Sequence, residues 1–121
     1  MKRALILVLS LLMLVLCIPA LAESTDWNYD ANYAILRGYD GAGGDVVVPA
    51  EIDGFTVDVI GINVFKGDTI TSLTLPETVL ELRSGAVASC ERLASVTLPQ
   101  SLVVINRMNF FSCNALSEIT I

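Results

Sequence analysis

The chain has 121 residues with 7 basic and 13 acidic side chains and no histidine. Without histidine there is no imidazole base, no Ser-His-Asp or Cys-His pair and no His-based metal site. The acidic balance repels phosphate backbones and anionic lipids, which argues against nucleic-acid and peripheral-membrane partners.

Residues 1–22 are predicted to form a secretory signal peptide. Lys2 and Arg3 precede an apolar run over residues 4–18, and Ala20-Leu21-Ala22 matches the small-x-small cleavage rule. The run is shorter than the roughly 20 residues of a membrane span, although its extension to Ala22 leaves an uncleaved anchor as an alternative. Cleavage would leave residues 23–121, with a net charge of −8, as a secreted or cell-surface protein without membrane contact.

Residues 23–44 are predicted to form a capping hairpin, with short strands at Trp27–Tyr29 and Tyr33–Leu36. Residues 45–121 are predicted to form stacked repeats, and the terminal repeat of such a stack needs a cover. A sugar-stacking platform built from the aromatic side chains, which are Trp27, Tyr29, Tyr33 and Tyr39, is the alternative.

The glycine-rich stretch from Asp40 to Asp45 is interpreted as a turn between the hairpin and the following segment. Glycine supplies positive φ at little cost. A calcium loop is disfavoured because the stretch lacks alternating acidic ligands and a distal glutamate.

Residues 68–90 and 91–113 are two gapless copies of one 23-residue repeat. Six positions are identical between the copies, namely Ser72/Ser95, Thr74/Thr97, Leu75/Leu98, Pro76/Pro99, Ser89/Ser112 and Cys90/Cys113. Residues 114–121 begin a further copy after these two. Residues 45–67 form a looser copy before them, with a longer segment that contains the turn signal Asp53-Gly54. We call residues 45–67, 68–90 and 91–113 coils 1, 2 and 3.

Each copy carries apolar residues spaced as in a strand that is buried on one face. These triplets are Ile70, Leu73 and Leu75; Leu93, Val96 and Leu98; and Leu116, Ile119 and Ile121. Proline then ends the strand, because it cannot donate to a ladder. A second apolar set returns over the strand: Val79, Leu82 and Val87 in coil 2, and Leu102, Ile105 and Phe110 in coil 3. One coil alone has nothing to bury against, so stacked coils with parallel strands are expected.

These features resemble the bacterial BspA-like, treponemal type of leucine-rich repeat surface protein. The residues that carry the resemblance are the L..L.LP blocks at 70–76 and 93–99, the IG..VF stretch at 60–65, and Cys90 and Cys113. The resemblance implies a mainly β repeat solenoid, which is a short leucine-rich-repeat stack of parallel strands behind an N-terminal β-hairpin cap. It also implies a non-catalytic module for protein binding or adhesion, with a protein partner or a host matrix protein as ligand. The chain departs from the pattern at Asn109-Phe110, where an Ala-Phe pair is usual.

Outward strand positions are the candidate binding residues. They should form two columns and are Ser72, Thr74, Ser95, Thr97, Glu118 and Thr120. The alternative is that they are simply good exposed strand residues that stabilise the sheet. No catalytic, metal or cofactor residue is predicted, because the acidic side chains lie mostly in turns.

Cys90 and Cys113 occupy the same repeat position, so packing explains them without a bond. A disulfide between neighbouring coils stays open as the alternative, since an exported protein meets oxidising conditions.

The sequence stops at Ile121 on the strand of a further copy. A truncated piece of a longer repeat protein is the favoured explanation, and end-to-end pairing through the C-terminal strand and a frayed end are the alternatives. The rival functions are a structural spacer within a larger surface protein and a glycan-binding accessory domain.

Overall fold

The computed structural model describes residues 24–121, and the predicted signal peptide lies outside them. A single 3-10 turn (Ser24–Asp26) leads into an antiparallel hairpin of β1 (Trp27–Asp30) and β2 (Ile35–Tyr39). The predicted N-terminal β-hairpin cap is therefore confirmed.

The second hairpin strand begins at Ile35, so the prediction that it starts at Tyr33 was wrong. The Asp30 carboxylate accepts hydrogen bonds from the backbone N–H groups of Asn32 and Tyr33 at 3.0 and 3.3 Å. Ala34 then has a φ of 55°. An Asp side chain that bonds the backbone two residues ahead stabilises a turn, and this turn occupies the positions assigned to the strand.

Two sheets run along the stack. The front sheet consists of β3 (Gly44–Val47), β7 (Ile70–Thr74), β9 (Ser95–Thr97) and β11 (Glu118–Thr120), in the order β11-β9-β7-β3. The back sheet has the order β1-β2-β6-β8-β10, where β6 is Val59–Ile60, β8 is Glu81–Leu82 and β10 is Val104–Ile105. Every strand pair between coils is parallel, and the expected solenoid is confirmed.

The longer segment of coil 1 folds into a hairpin of its own. Strands β4 (Glu51–Ile52) and β5 (Phe55–Thr56) pair antiparallel around Asp53-Gly54, whose φ angles are 52° and 83°. Two consecutive positive φ values define the type I′ turn for which Asp-Gly is a favoured sequence. The extra residues thus leave the stack as a side hairpin, and the parallel ladder continues without interruption.

The core lies between the two sheets and receives side chains from both. Leu73 and Val96 of the front sheet are each 1% exposed, while Ile60 and Leu82 of the back sheet are fully buried. The hairpin cap closes one end of this core with Leu36 and Trp27. Burial of the predicted triplets of coils 2 and 3 follows from stacking, since each coil covers its neighbour.

Left-handed residues recur at two positions of the coil. Asn63, Gly85 and Met108 have φ angles of 55°, 63° and 67°, and Gly67, Ser89 and Ser112 have 101°, 54° and 55°. Each set lies on successive coils, so the backbone turns at the same two corners every time. The repeat is therefore one of backbone conformation as well as of apolar side chains.

Candidate functional site

The candidate binding residues form two straight columns on the outer face of the front sheet. Strand register aligns Asp45, Ser72, Ser95 and Glu118 in the first column, and Val47, Thr74, Thr97 and Thr120 in the second. Neighbouring members of a column are one strand spacing apart, about 4.8 Å. The row between the columns points toward the core: Val46, Leu73 and Val96 are buried, whereas Ile119 on the last strand is 47% exposed.

All six residues predicted from the sequence lie in these columns. Ser72, Thr74 and Ser95 are half-buried, whereas Thr97, Glu118 and Thr120 are exposed. Among these six residues, exposure rises from β7 toward β11. Their role in binding stays a prediction.

Two column members, Asp45 and Val47, were missed in the sequence analysis. Their signal is the distance to the proline: Asp45 precedes Pro49 by the same four residues that separate Ser72 from Pro76. Val47 is 64% exposed, as a column member should be. Counting back from each proline would have extended both columns to coil 1.

The first column carries a carboxylate at each end with hydroxyl groups between. Asp45 accepts a hydrogen bond from the Ser72 hydroxyl at 2.7 Å, and a longer one from Thr71 at 3.5 Å. Glu118 lies at the other end, 3.5 Å from the Thr120 hydroxyl. The second column presents one valine and three threonines, whose methyl groups add an apolar edge. This face can accept and donate hydrogen bonds while offering modest apolar contact.

Three of the four hairpin aromatic residues, Trp27, Tyr29 and Tyr39, pack on the core as a cap, whereas Tyr33 is 68% exposed. Trp27 is 7% exposed, with its ring centroid 4.8 Å from that of Tyr39 and 6.3 Å from that of Phe65. Tyr29 stacks on Phe55 at 5.7 Å and donates a hydrogen bond to the Thr56 carbonyl. Because Trp27 packs into the first coil, it cannot stack on a sugar.

Cys90 and Cys113 are free and buried. Burial, with Cys113 next to it, raises the pKa of the Cys90 thiol from 9.0 to about 12. A thiol that holds its proton this firmly is a poor nucleophile and a poor metal ligand. The packing interpretation agrees with these observations.

Within residues 24–121 no group of three or more His, Cys, Asp or Glu side chains is placed to hold a metal ion. No helix in the same range reaches the length and apolar character that a membrane span requires.

The glycine turn has Gly43 and Gly44 at φ 87° and 73°, and a Cβ on Gly43 would lie 2.5 Å from the Thr69 carbonyl oxygen. Its glycines are thus explained by backbone conformation and close packing.

Comparison with known proteins gives a family and a related fold. A family model described as BspA type leucine rich repeat region, in six copies, matches residues 51–121. Among solved structures, the T. pallidum leucine-rich repeat protein TpLRR is similar, with a TM-score of 0.73 at 28% sequence identity. The similarity covers 84% of this chain and 49% of TpLRR, so the chain spans about half of that protein's length. No curated protein matches.

Proposed function

The chain belongs to the BspA-type leucine-rich repeat family, and we propose that it is a non-catalytic module of a secreted or cell-surface protein that binds a protein partner through the front sheet. The family match supports a protein-binding repeat domain. The observation that carries the choice of surface is the unbroken register of the two outer columns across four strands.

A preorganised surface loses little conformational entropy when a partner docks. The column residues alternate with core residues such as Leu73 and Val96, which are each 1% exposed and hold the strands in place. Short serine and threonine side chains add few rotatable bonds. The front sheet thus meets a partner without a large ordering cost.

The chemistry of the face favours a partner that donates hydrogen bonds. Asp45 and Glu118 place carboxylates at the two ends of the first column, and hydroxyl groups lie between them. Charge-assisted hydrogen bonds from Arg or Lys side chains of a partner would suit these ends. An adhesion role toward a host matrix protein is the specific form of this proposal.

The test is binding of the purified protein to extracellular matrix deposited by cultured fibroblasts. Thr74→Arg and Thr97→Arg each place a long cation in the centre of the face, and Asn114→Arg adds the same charge at an exposed turn residue. We expect the first two variants to lose binding at least tenfold in surface plasmon resonance and Asn114→Arg to retain it. Equal loss in all three would reject the front sheet as the site. If the unaltered protein fails to bind, the spacer function is favoured.

End-to-end self-association is a second candidate, favoured by the C-terminal end of the stack, which is formed by β10 of coil 3 and by β11 of the following partial copy. Val103 and Ile121 are 78% and 76% exposed there, beside the outer edges of β10 and β11. Unpaired strand edges bordered by apolar side chains are templates for pairing. Light scattering should show a dimer that Val103→Lys and Ile121→Lys convert to a monomer; a monomeric unaltered protein across the micromolar range would reject it.

A further inference from the structure

The outer face of the back sheet contains a groove that the protein-binding proposal does not use. Its volume is about 310 Å³, and it is lined by Ile35, Arg37, Gly61, Ile62 and Arg83. It lies on the other sheet from the serine and threonine columns. Two arginines in one groove are notable in a chain that has 13 acidic and only 7 basic residues.

The groove arises from strand register. Leu36, Ile60 and Leu82 are fully buried neighbours on β2, β6 and β8, so the residue that follows each of them points outward. Those residues are Arg37, Gly61 and Arg83, and the backbone N–H groups of Gly61 and Arg83 continue the ladder at 2.8 and 3.0 Å. The two arginines therefore lie two strand spacings apart, about 10 Å between their Cα atoms.

Gly61 keeps the space between the arginines open. A Cβ at this position would lie 2.7 Å from the Leu36 carbonyl oxygen and 2.9 Å from Cγ2 of Ile35. The close packing of the two strands thus excludes a side chain here, and the groove carries no side chain on the strand between Arg37 and Arg83 at this position. Ile35 forms one apolar wall, and Ile62, which is 61% exposed, forms another.

Both guanidinium groups are oriented by neighbours but remain accessible. Arg37 pairs through Nε with Asp30 at 3.0 Å and lies 5.4 Å from the ring centroid of Tyr33, with 52% of its side chain exposed. Arg83 approaches Glu81 through Nε at a longer 3.8 Å and is 43% exposed. Both salt bridges use Nε, so the terminal nitrogens can form the paired hydrogen bonds with which arginine recognises a carboxylate.

We propose that this groove binds an acidic peptide segment of a partner protein, in which a carboxylate side chain lies between Arg37 and Arg83 and a neighbouring aliphatic side chain contacts Ile35 and Ile62. A carboxylate is repelled by most of this acidic surface and is attracted here. The aliphatic walls favour a peptide over a sulfated glycan, which has no apolar side chain to place against them. Asp30 and Glu81 partly offset the positive charge, so the expected affinity is modest and decreases with salt.

The experiment uses a fluorescein-labelled peptide of alternating Glu and Ile residues and measures anisotropy with the purified protein at low salt. We expect saturable binding that Arg37→Gln combined with Arg83→Gln weakens at least tenfold. Arg92→Gln removes one positive charge at an exposed position outside the groove and should change the dissociation constant less than twofold. A peptide of alternating Gln and Ile should bind at least tenfold more weakly than the acidic peptide.

A nuclear magnetic resonance titration places the ligand independently of mutation. The Gly61 backbone amide, which donates to the Leu36 carbonyl at 2.8 Å, should shift on addition of the acidic peptide, whereas the Thr97 amide on the front sheet should not. Three outcomes would overturn the proposal: no saturable binding of the peptide, equal loss of binding in the Arg92→Gln variant, or a heparin oligosaccharide that binds this groove more tightly than the peptide. None of these outcomes bears on binding through the front sheet.

Discussion

Coils 2 and 3 share one sequence pattern but bury it to different extents. Val79, Leu82 and Val87 of coil 2 are fully buried, whereas Ile105, which is the counterpart of Leu82, is 49% exposed. Leu102 and Phe110 of coil 3 are only partly buried. Coil 2 lies between two other coils, and the return segment of coil 3 is covered on one side. An apolar residue at a given repeat position is thus fully buried only when a neighbouring coil stacks over it.

The backbone ladder differs between the two coils as well. Phe65 of coil 1 donates its N–H to the Ala86 carbonyl oxygen of coil 2 at 2.9 Å. At the next step, Val87 instead donates to the side-chain oxygen of Asn109, the counterpart of Ala86, at 3.1 Å. The Asn109 amide in turn donates to the carbonyl oxygens of Arg83 and Asn106 at 3.0 and 2.8 Å. One side chain therefore replaces part of a backbone ladder in coil 3.

The largest expected effect separates the two coils at equivalent positions. Leu82→Ala should reduce the free energy of unfolding by roughly 2–5 kcal/mol, since it leaves a cavity in a fully packed site. Ile105→Ala should cost only about 1 kcal/mol, because the side chain is half in water before the change. Urea denaturation of both variants measures the difference. Equal losses at the two positions would show that coil 3 is covered in solution by something else, such as a second copy of the chain.

Substitution of Asn109 tests whether its side chain stabilises coil 3 at the position where coil 2 accepts a backbone hydrogen bond instead. Asn109→Ala should cost about 1–3 kcal/mol, because three hydrogen-bonding groups lose their partner at once. The exposed Asn114 serves as the control, and Asn114→Ala should stay within about 0.5 kcal/mol of the unaltered protein. If Asn109→Ala is as mild as the control, the backbone of coil 3 must shift to form the ladder seen in coil 2.

Most of the architecture was predictable because it follows from the repeat itself. The triplets Ile70, Leu73, Leu75 and Leu93, Val96, Leu98 are buried as expected, and the prolines end both strands. Asp53-Gly54 forms its turn because few other pairs accept two positive φ angles. These features depend on local pattern and period, which a single sequence contains.

The remaining features depend on contacts between coils, which the sequence does not show directly. Arg37 and Arg83 are far apart along the chain and meet in one groove only through strand register. Met108 has a φ of 67°, a conformation that its side chain gives no reason to expect. In the proposed binding face, Asp45 and Val47 of coil 1 could have been predicted from their distance to Pro49, but their side chains differ from the serine and threonine of the later copies.

Met108 and Gly85 occupy the same left-handed position of successive coils. Substitutions at these two residues should change the free energy of unfolding by smaller amounts and in opposite directions. Met108→Gly should raise the free energy of unfolding by about 1 kcal/mol, since glycine adopts this φ without steric strain. Gly85→Ala should lower it by about 1 kcal/mol, because φ there is 63° and the added Cβ would lie 3.2 Å from Oδ1 of Asn63. Thermal denaturation resolves both. A loss on Met108→Gly would mean that the methionine side chain contributes more packing than the strain costs.

The last effect is confined to alkaline pH and distinguishes the two cysteines. The unfolded chain releases the Cys90 proton near its ordinary pKa of 9.0, whereas the folded chain holds it until about 12. The contribution of this raised pKa to the free energy of unfolding is therefore fully present below pH 9 and is lost as the pH rises toward 12. In Cys90→Ala, the fall in melting temperature between pH 8 and pH 10.5 should be smaller than in the unaltered protein. Tyr29 leaves a residual slope of the same sign, because burial and the charge of Asp58 raise its pKa.

Iodoacetamide at pH 8 should modify Cys113, which is 8% exposed in coil 3, before the fully buried Cys90. Faster modification of Cys90 would show that coil 2 opens more readily than coil 3, which reverses the order expected from the packing of the two coils.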